Sequence, residues 1–275
     1  MFTVLQPIVR PTVGFMRRIR YLGKPAVQIQ PQRAGTITFC ILRVRCKNGV
    51  PHWNKVYRAA GRQAGQLVLP AGFSPPAGCG IRPYDNSRFR RMLLFNAFFR
   101  CMASADPRRL SVALIDWDAR YGEVALGILE RAAAVHVVTI RPELYECYAE
   151  KAHAELGACL MLTDRTDCLE SVAAVLAPEG LAGRHTFPEI PPVNRIFFSG
   201  ADSAAGMTVD GRCIRLPEPY ESLLPPGIDR LDFGAALYDS GRPAALRRLL
   251  PAYIRKEGLR IPLRSAAALM SQAAR

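Results

Sequence analysis

From Pro107 onward, short and evenly apolar runs alternate with amphipathic stretches. Val112 to Ile115, Val135 to Thr139, Ala158 to Leu162 and Val193 to Phe198 are too short for core helices and lack the in-out alternation of half-exposed strands. They predict strands buried on both faces, as in a parallel sheet covered by helices. Between them the spacing predicts a helix from Gly122 to Ala133. A second is predicted from Pro142 to Gly157, with Leu144, Tyr148 and Ala152 on one face, and a third from Asp167 to Leu176. Right-handed crossovers arrange the four strands in the order 3-2-1-4.

The first hundred residues read differently. Residues 1 to 35, broken by Pro7, Pro11, Pro25 and Pro31, predict an irregular arm with one short element at most. Thr36 to Cys46 is a strand that runs into the hairpin signal Asn48-Gly49. Trp53 to Ala60 is a helix stopped by Gly61, Gln66 to Leu69 a strand stopped by Pro70, and residues 70 to 83 a Pro/Gly loop. Ser87 to Ala103 is a helix capped by Ser87. Its aromatic residues at helical spacing, Phe89, Phe95 and Phe99, are read as packing groups rather than base-stacking platforms. Toward the end, Met207 to Leu216 reads as a hairpin around Asp210-Gly211. Ile228 to Gly241 reads as a helix with Leu231, Ala235 and Tyr238 inward, Pro243 to Leu250 as another, and the tail from Glu257 as a basic helix. The expected organisation is therefore α/β: a basic α+β module over residues 1–106, then a parallel-sheet domain over residues 107–275 with a C-terminal hairpin and helical extension.

Charge sharpens this division. Residues 1–110 carry 19 Lys plus Arg against Asp85 and Asp106, a net of +17, while the remainder carries 18 bases against 21 acids, a net of −3. Arg outnumbers Lys 32 to 5, which a compositional bias explains, but such a bias does not remove acids. A nucleic acid or an acidic protein is thus an expected partner of residues 1–110. No apolar run approaches the roughly 18 residues of a membrane span, and Arg10 interrupts the start before a signal-peptide core forms, so a cytoplasmic location is expected. The eight cysteines form no C-x-x-C pair and have no His at ligand spacing, so they read as reduced, mostly buried apolar residues and not as a zinc site. The four histidines are dispersed, and no catalytic residue is assigned.

In an open parallel sheet, ligands sit outside the carboxyl ends of the strands where the order reverses. That nominates Asp116, Trp117, Asp118, Arg120, Tyr121 and Gly122 after the first strand, and Ser199, Gly200 and Asp202 after the fourth. Thr139, Arg141, Thr163, Asp164 and Arg165 form the rim. The strand-turn-helix rhythm over about 90 residues resembles the NAD(P)-binding Rossmann-like superfamily. The resemblance implies a nucleotide site, with NADP or another nucleotide as cofactor, at Asp116, Trp117, Asp118, Tyr121, Gly122, Thr139, Arg141, Ser199 and Gly200. The turn reads D-W-D-A-R-Y-G and not G-x-G-x-x-G, so only Gly122 matches, and Ile140-Arg141 replaces the ribose-binding acid, where an arginine suits a 2′-phosphate.

The pair Asp116-x-Asp118 also resembles the first motif of haloacid-dehalogenase-type phosphatases. That resemblance implies Asp116 as nucleophile, Asp118 as proton carrier, Thr139 as the expected hydroxyl, and a Mg²⁺ shared with a distant acid such as Asp202. Ala119-Arg120 departs from that motif, and the helix follows too soon for the family's flap. A plain alternative is that the two acids cap the helix. The functions left open are binding of a nucleotide-like or phosphorylated small molecule, a non-catalytic adaptor with a basic N-terminal module, and Mg-dependent phosphate hydrolysis.

Overall fold

Phe2, Val4 and Leu5 open a strand in the computed structural model, which describes residues 1–8, 27–47, 49–180, 196–200 and 206–274. The irregular arm expected over residues 1–35 is thereby corrected: β1 (Phe2–Ile8) and β2 (Val27–Ala34) are regular strands, while Pro11 and Pro25 lie outside the described residues. Pro31 is tolerated because β2 is an edge strand, where a missing N–H costs no ladder bond on the open side. β2 pairs antiparallel with β3 (Ile37–Lys47), and β3 pairs parallel with β1, which pairs parallel with β5 (Leu67–Val68). The expected hairpin after β3 is present, with β4 (Val50–Pro51) pairing back on it around Gly49 at φ 78°.

The chain forms two compact units. The first joins Met1–Phe89 to Arg215–Arg248, and the second joins Arg90–Ile214 to Leu249–Arg275. In the first unit, one sheet face is covered by α1 (Trp53–Ala60), whose Val56 and Ala60 pack on Leu5, Leu42 and Val44. The other is covered by α5 (Arg230–Gly241), whose Phe233 ring stands edge-on to Phe2 and Phe39 at 5.9 and 5.5 Å. Asp229 caps α5 by accepting the Leu231 N–H at 2.7 Å. α2 (Ser87–Met102) begins as expected, but its capping carboxylate is Asp85, which accepts both the N–H and the hydroxyl of Ser87.

The second unit holds a five-stranded, fully parallel sheet in the order β10-β9-β6-β7-β8: β6 (Ser111–Ile115), β7 (Ala134–Val138), β8 (Leu160–Thr163), β9 (Ala174–Ala177) and β10 (Ile196–Ser199). The architecture is α/β and compatible with a Rossmann-like fold. The expected order 3-2-1-4 needs correction, because β9 lies between the first expected strand and the fourth. The sequence places a helix there, since Leu169, Val172 and Leu176 fit its spacing. Only Asp167–Glu170 forms a 3-10 turn, and the next segment enters the sheet. All four residues of β9 are buried, so burial on both faces outweighs the helix preference of its alanines.

Helices flank this sheet. α3 (Gly122–Leu129) is shorter than expected. The Pro142 to Gly157 path opens with a 3-10 turn, continues as α4 (Glu146–Lys151) and ends in Gly157 at φ 61°. The 3-10 opening rotates the register, so Tyr145 and Ala152 are buried while Leu144 is 42% exposed, correcting the face expected from Leu144. From α2, the Phe98 ring meets Phe198 of β10 at 5.2 Å, in the packing role expected of that helix.

The expected 207–216 hairpin is absent. Asp210 closes a turn by accepting the Arg212 N–H, but Thr208 pairs with Arg255 instead. The hairpin lies later, between β11 (Tyr253–Lys256) and β12 (Leu259–Pro262), with Glu257 and Gly258 both at positive φ, a turn signature the sequence carries as Glu-Gly. The basic tail helix expected from Glu257 begins only at α6 (Leu263–Ala273). No helix among the described residues is long and apolar enough to cross a membrane. Cys46, Cys101 and Cys213 are buried, whereas Cys147 and Cys159 are exposed.

Candidate ligand site at the carboxyl edge of the parallel sheet

With β9 in place, the strand order reverses between β6 and β9, and the carboxyl ends of these two strands are where open parallel sheets take their ligands. The turn after β6 is organised by Asp116, which is 3% exposed. Its Oδ1 accepts the Arg120 N–H at 2.9 Å, and its Oδ2 accepts the Tyr121 N–H at 2.7 Å and the Tyr145 hydroxyl at 2.7 Å. Its own carbonyl accepts the Ala119 N–H, which holds Ala119 at φ 53°. Asp116 therefore closes the turn that leads into the next helix, Gly122–Leu129, by holding the N–H groups of Arg120 and Tyr121. The helix itself has no side-chain cap at Tyr121, so the expectation that this acid caps it is corrected.

Four other nominated residues, Thr139, Trp117, Gly122 and Ser199, are also committed to the scaffold. Thr139 is buried; its hydroxyl donates to the Trp117 carbonyl at 3.3 Å and accepts the Arg141 N–H at 3.2 Å. Trp117 packs against the core beneath β6 and β9. Gly122 is required by close approach, because a Cβ there would lie 2.2 Å from the Tyr148 ring. Ser199 is buried, with its N–H on the Met207 carbonyl at 2.9 Å.

Gly200 donates to the Ala177 carbonyl at 2.9 Å, and its Cβ would lie 1.6 Å from the Pro178 carbonyl oxygen. That contact is with backbone, so it cannot be relieved by a rotamer change. Gly200→Ala should destabilise the protein by about 3 kcal/mol or more, whereas Gly122→Ala, opposed only by a side chain, should cost less. Thermal denaturation of the two variants measures the difference.

The groups that face outward form a charged rim. Asp118 pairs with Arg120 at 2.8 Å, Arg141 with Glu143 at 3.2 Å, and Arg165 with Asp167. Arg91, from the basic N-terminal stretch, pairs with Glu179 at 3.2 Å. Glu179 also accepts the Tyr121 hydroxyl, and the Tyr121 ring meets Phe95 at 5.4 Å. Burial and the hydrogen bond to Glu179 push the Tyr121 phenol above its usual range. Burial and the bond to Asp116 do the same for Tyr145, so both act as protonated donors and not as bases. Burial within β7 holds the His136 imidazole below its usual range.

Sequence reasoning missed Glu179 and Tyr145. The first was hidden because β9 was read as helix, the second because the 3-10 opening shifts the helical register. Thr163 and Asp164 belong to the rim at the end of β8, while Asp202 lies outside the described residues.

The residues present do not fit a pyrophosphate cradled by backbone. The N–H groups of Arg120 and Tyr121 are taken by Asp116, and the space above Gly122 is filled by Tyr148. They do not fit a resident cation either: Asp116 already accepts three hydrogen bonds, Asp118 is paired with Arg120, and no cluster of metal-binding side chains occurs among the described residues. Comparison of the chain with protein-family models and with curated proteins finds no match.

Proposed function

We propose that the second unit binds a phosphorylated small molecule, nucleotide-like in size, at the carboxyl edge of its parallel sheet, with arginine side chains rather than backbone holding the phosphate. The observation that carries this reading is the succession of short-range ion pairs at the ends of β6, β7 and β8, each joining an arginine to an acid two residues away. Their arginine side chains are 53 to 75% exposed. Ion pairs so exposed contribute roughly 0–1 kcal/mol, so a phosphate that accepts two parallel N–H bonds from a guanidinium can displace the local carboxylate at small cost. The edge is then a row of exchangeable cations beside a crevice defined by the strand order.

The test is a titration of the whole protein with sugar phosphates, mononucleotides and NADP(H), read by thermal shift and calorimetry. Binding of a monophosphate-bearing ligand that weakens about tenfold in each of Arg120→Ala and Arg141→Ala supports the reading. Absence of binding across the panel, or binding indifferent to both variants, overturns it. Phosphate hydrolysis by Asp116 is not carried forward, because a nucleophile with both oxygens held by donors is poorly placed to attack phosphorus.

A second reading, the adaptor, is favoured by one observation. The first unit carries 19 basic and 6 acidic residues, a net of +13, against 18 and 17 in the second, so the excess charge is confined to one unit.

A further inference from the structure

In the first unit, α1 buries Val56 and Ala60 against the sheet and turns Asn54, Lys55 and Arg58 to solvent. Lys55 and Arg58 are three apart and so share one helix face. Gly61, at φ 56°, ends the helix and is followed by the exposed Arg62. A distant segment joins them. Arg82 donates its N–H to the Ala64 carbonyl at 2.9 Å and is exposed, and Gly80 lies directly against Tyr57, since a Cβ there would sit 2.6 Å from the tyrosine ring. The Pro/Gly loop thus anchors a fourth exposed cation beside the turn that follows α1 and holds the Tyr57 ring, which remains 47% exposed.

The surroundings are unusual in charge. Residues 1–84 contain 13 Lys plus Arg and no Asp or Glu. Among the described residues, the ion pairs of this unit, Arg88 with Asp239 and Arg230 with Glu221, do not involve Lys55, Arg58, Arg62 or Arg82. A purely solvated basic face needs no exposed aromatic ring held on its flank by a second segment. Phosphates along a strand match the cations, and unpaired bases match the ring, because every base offers a π-face.

We infer that the exposed cations Lys55, Arg58, Arg62 and Arg82, with Tyr57 on the flank of α1 that meets Gly80, bind single-stranded nucleic acid without strong sequence preference. Each cation neutralises a phosphate and displaces a condensed counterion, so affinity falls as salt rises. Tyr57 stacks on a base, a contribution that salt does not screen.

The test is fluorescence anisotropy of the whole protein with a labelled 20-mer of oligo(U), titrated over a range of salt. Wild-type protein should bind with a negative slope of log affinity against log salt. In the triple variant Lys55→Ala, Arg58→Ala, Arg62→Ala that slope should flatten by about 2, roughly 0.7 per lost phosphate contact. Tyr57→Ala should weaken binding about tenfold with the slope unchanged. All four side chains are exposed, so melting temperature should stay near wild type in every variant and separate loss of binding from loss of fold. Failure of wild-type protein to bind the oligonucleotide overturns the inference, as does an unchanged slope in the triple variant. Equal or tighter retention of labelled polyglutamate also overturns it, and assigns the surface to an acidic protein instead.

Discussion

Residues 1–106 produced without the rest of the chain should fail to fold, although the charge pattern and the Pro107 boundary suggest a self-contained module there. The sheet of the first unit needs two covers, and the sequence up to residue 106 supplies one. Phe2 and Phe39 pair across β1 and β3, their rings stacked at 5.1 Å. Both are buried, and the ring above them is Phe233 of α5, itself fully buried. Close approach along α5 is fixed by glycine: a Cβ at Gly234 would meet Phe89 at 2.8 Å, and one at Gly241 would meet Ile37 at 2.9 Å. Truncating one buried Phe costs about 3–5 kcal/mol. Removing the whole helix, with Leu231, Phe233 and Leu237, exceeds the roughly 5–15 kcal/mol by which such a domain is stable. Circular dichroism and thermal melting decide the matter. The 1–106 fragment should show no cooperative transition, and a chain joining 1–89 to 215–248 through a flexible linker should regain one. A cooperative melt of 1–106 alone would show that the second cover is dispensable.

Asp116→Ala should lower the melting temperature by about 10 °C. Three donors converge on this one buried carboxylate, from Arg120, Tyr121 and Tyr145. Its removal leaves two N–H groups and a buried hydroxyl without acceptors, at about 3–5 kcal/mol in sum, and a protein of this size loses about 2–4 °C per kcal/mol. Tyr145→Phe removes one donor and leaves the carboxylate its other two, so about 1–3 kcal/mol is expected. Asp116→Asn should fall between them, because the amide keeps one acceptor oxygen and adds an unwanted donor facing N–H groups. The order Ala, Asn, then Tyr145→Phe in a melting series follows from the geometry. A variant Asp116→Ala that melts with wild type would remove Asp116 from its organising role.

What the sequence made legible was what local chemistry dictates. The strands β6, β7 and β8 are short and mostly apolar, α1 ends at a glycine, and the Asn48-Gly49 signal predicts the β3–β4 pairing across that turn. Three features needed tertiary context. β1 and β2 carry prolines that read as breakers, yet Pro31 sits where an edge strand has no bond to lose. β9 is rich in alanine and becomes a strand only because both its faces are covered. The pairing of Arg215–Arg248 with the first ninety residues is a long-range choice that no window of sequence encodes.

The candidate site divides in the same way. Its position followed from topology, and the turn after β6 was found by its acids. What the acids do was decided by hydrogen bonds that periodicity does not reveal: Asp116 faces inward to the turn, whereas Asp118 faces outward to Arg120. Glu179, which bridges Tyr121 and Arg91, becomes visible only with β9 in the sheet.

The central claim is that the ligand edge of the second unit lies outside β6 and β9. Hydrogen–deuterium exchange of the whole protein, with and without the tightest-binding phosphorylated ligand, tests it most directly. The account predicts slowed exchange in residues 116–122, 139–141, 163–167 and 178–180, with little change in β1 to β5 of the first unit. Protection confined to the first unit, or to the amino ends of β6 to β9, would contradict it.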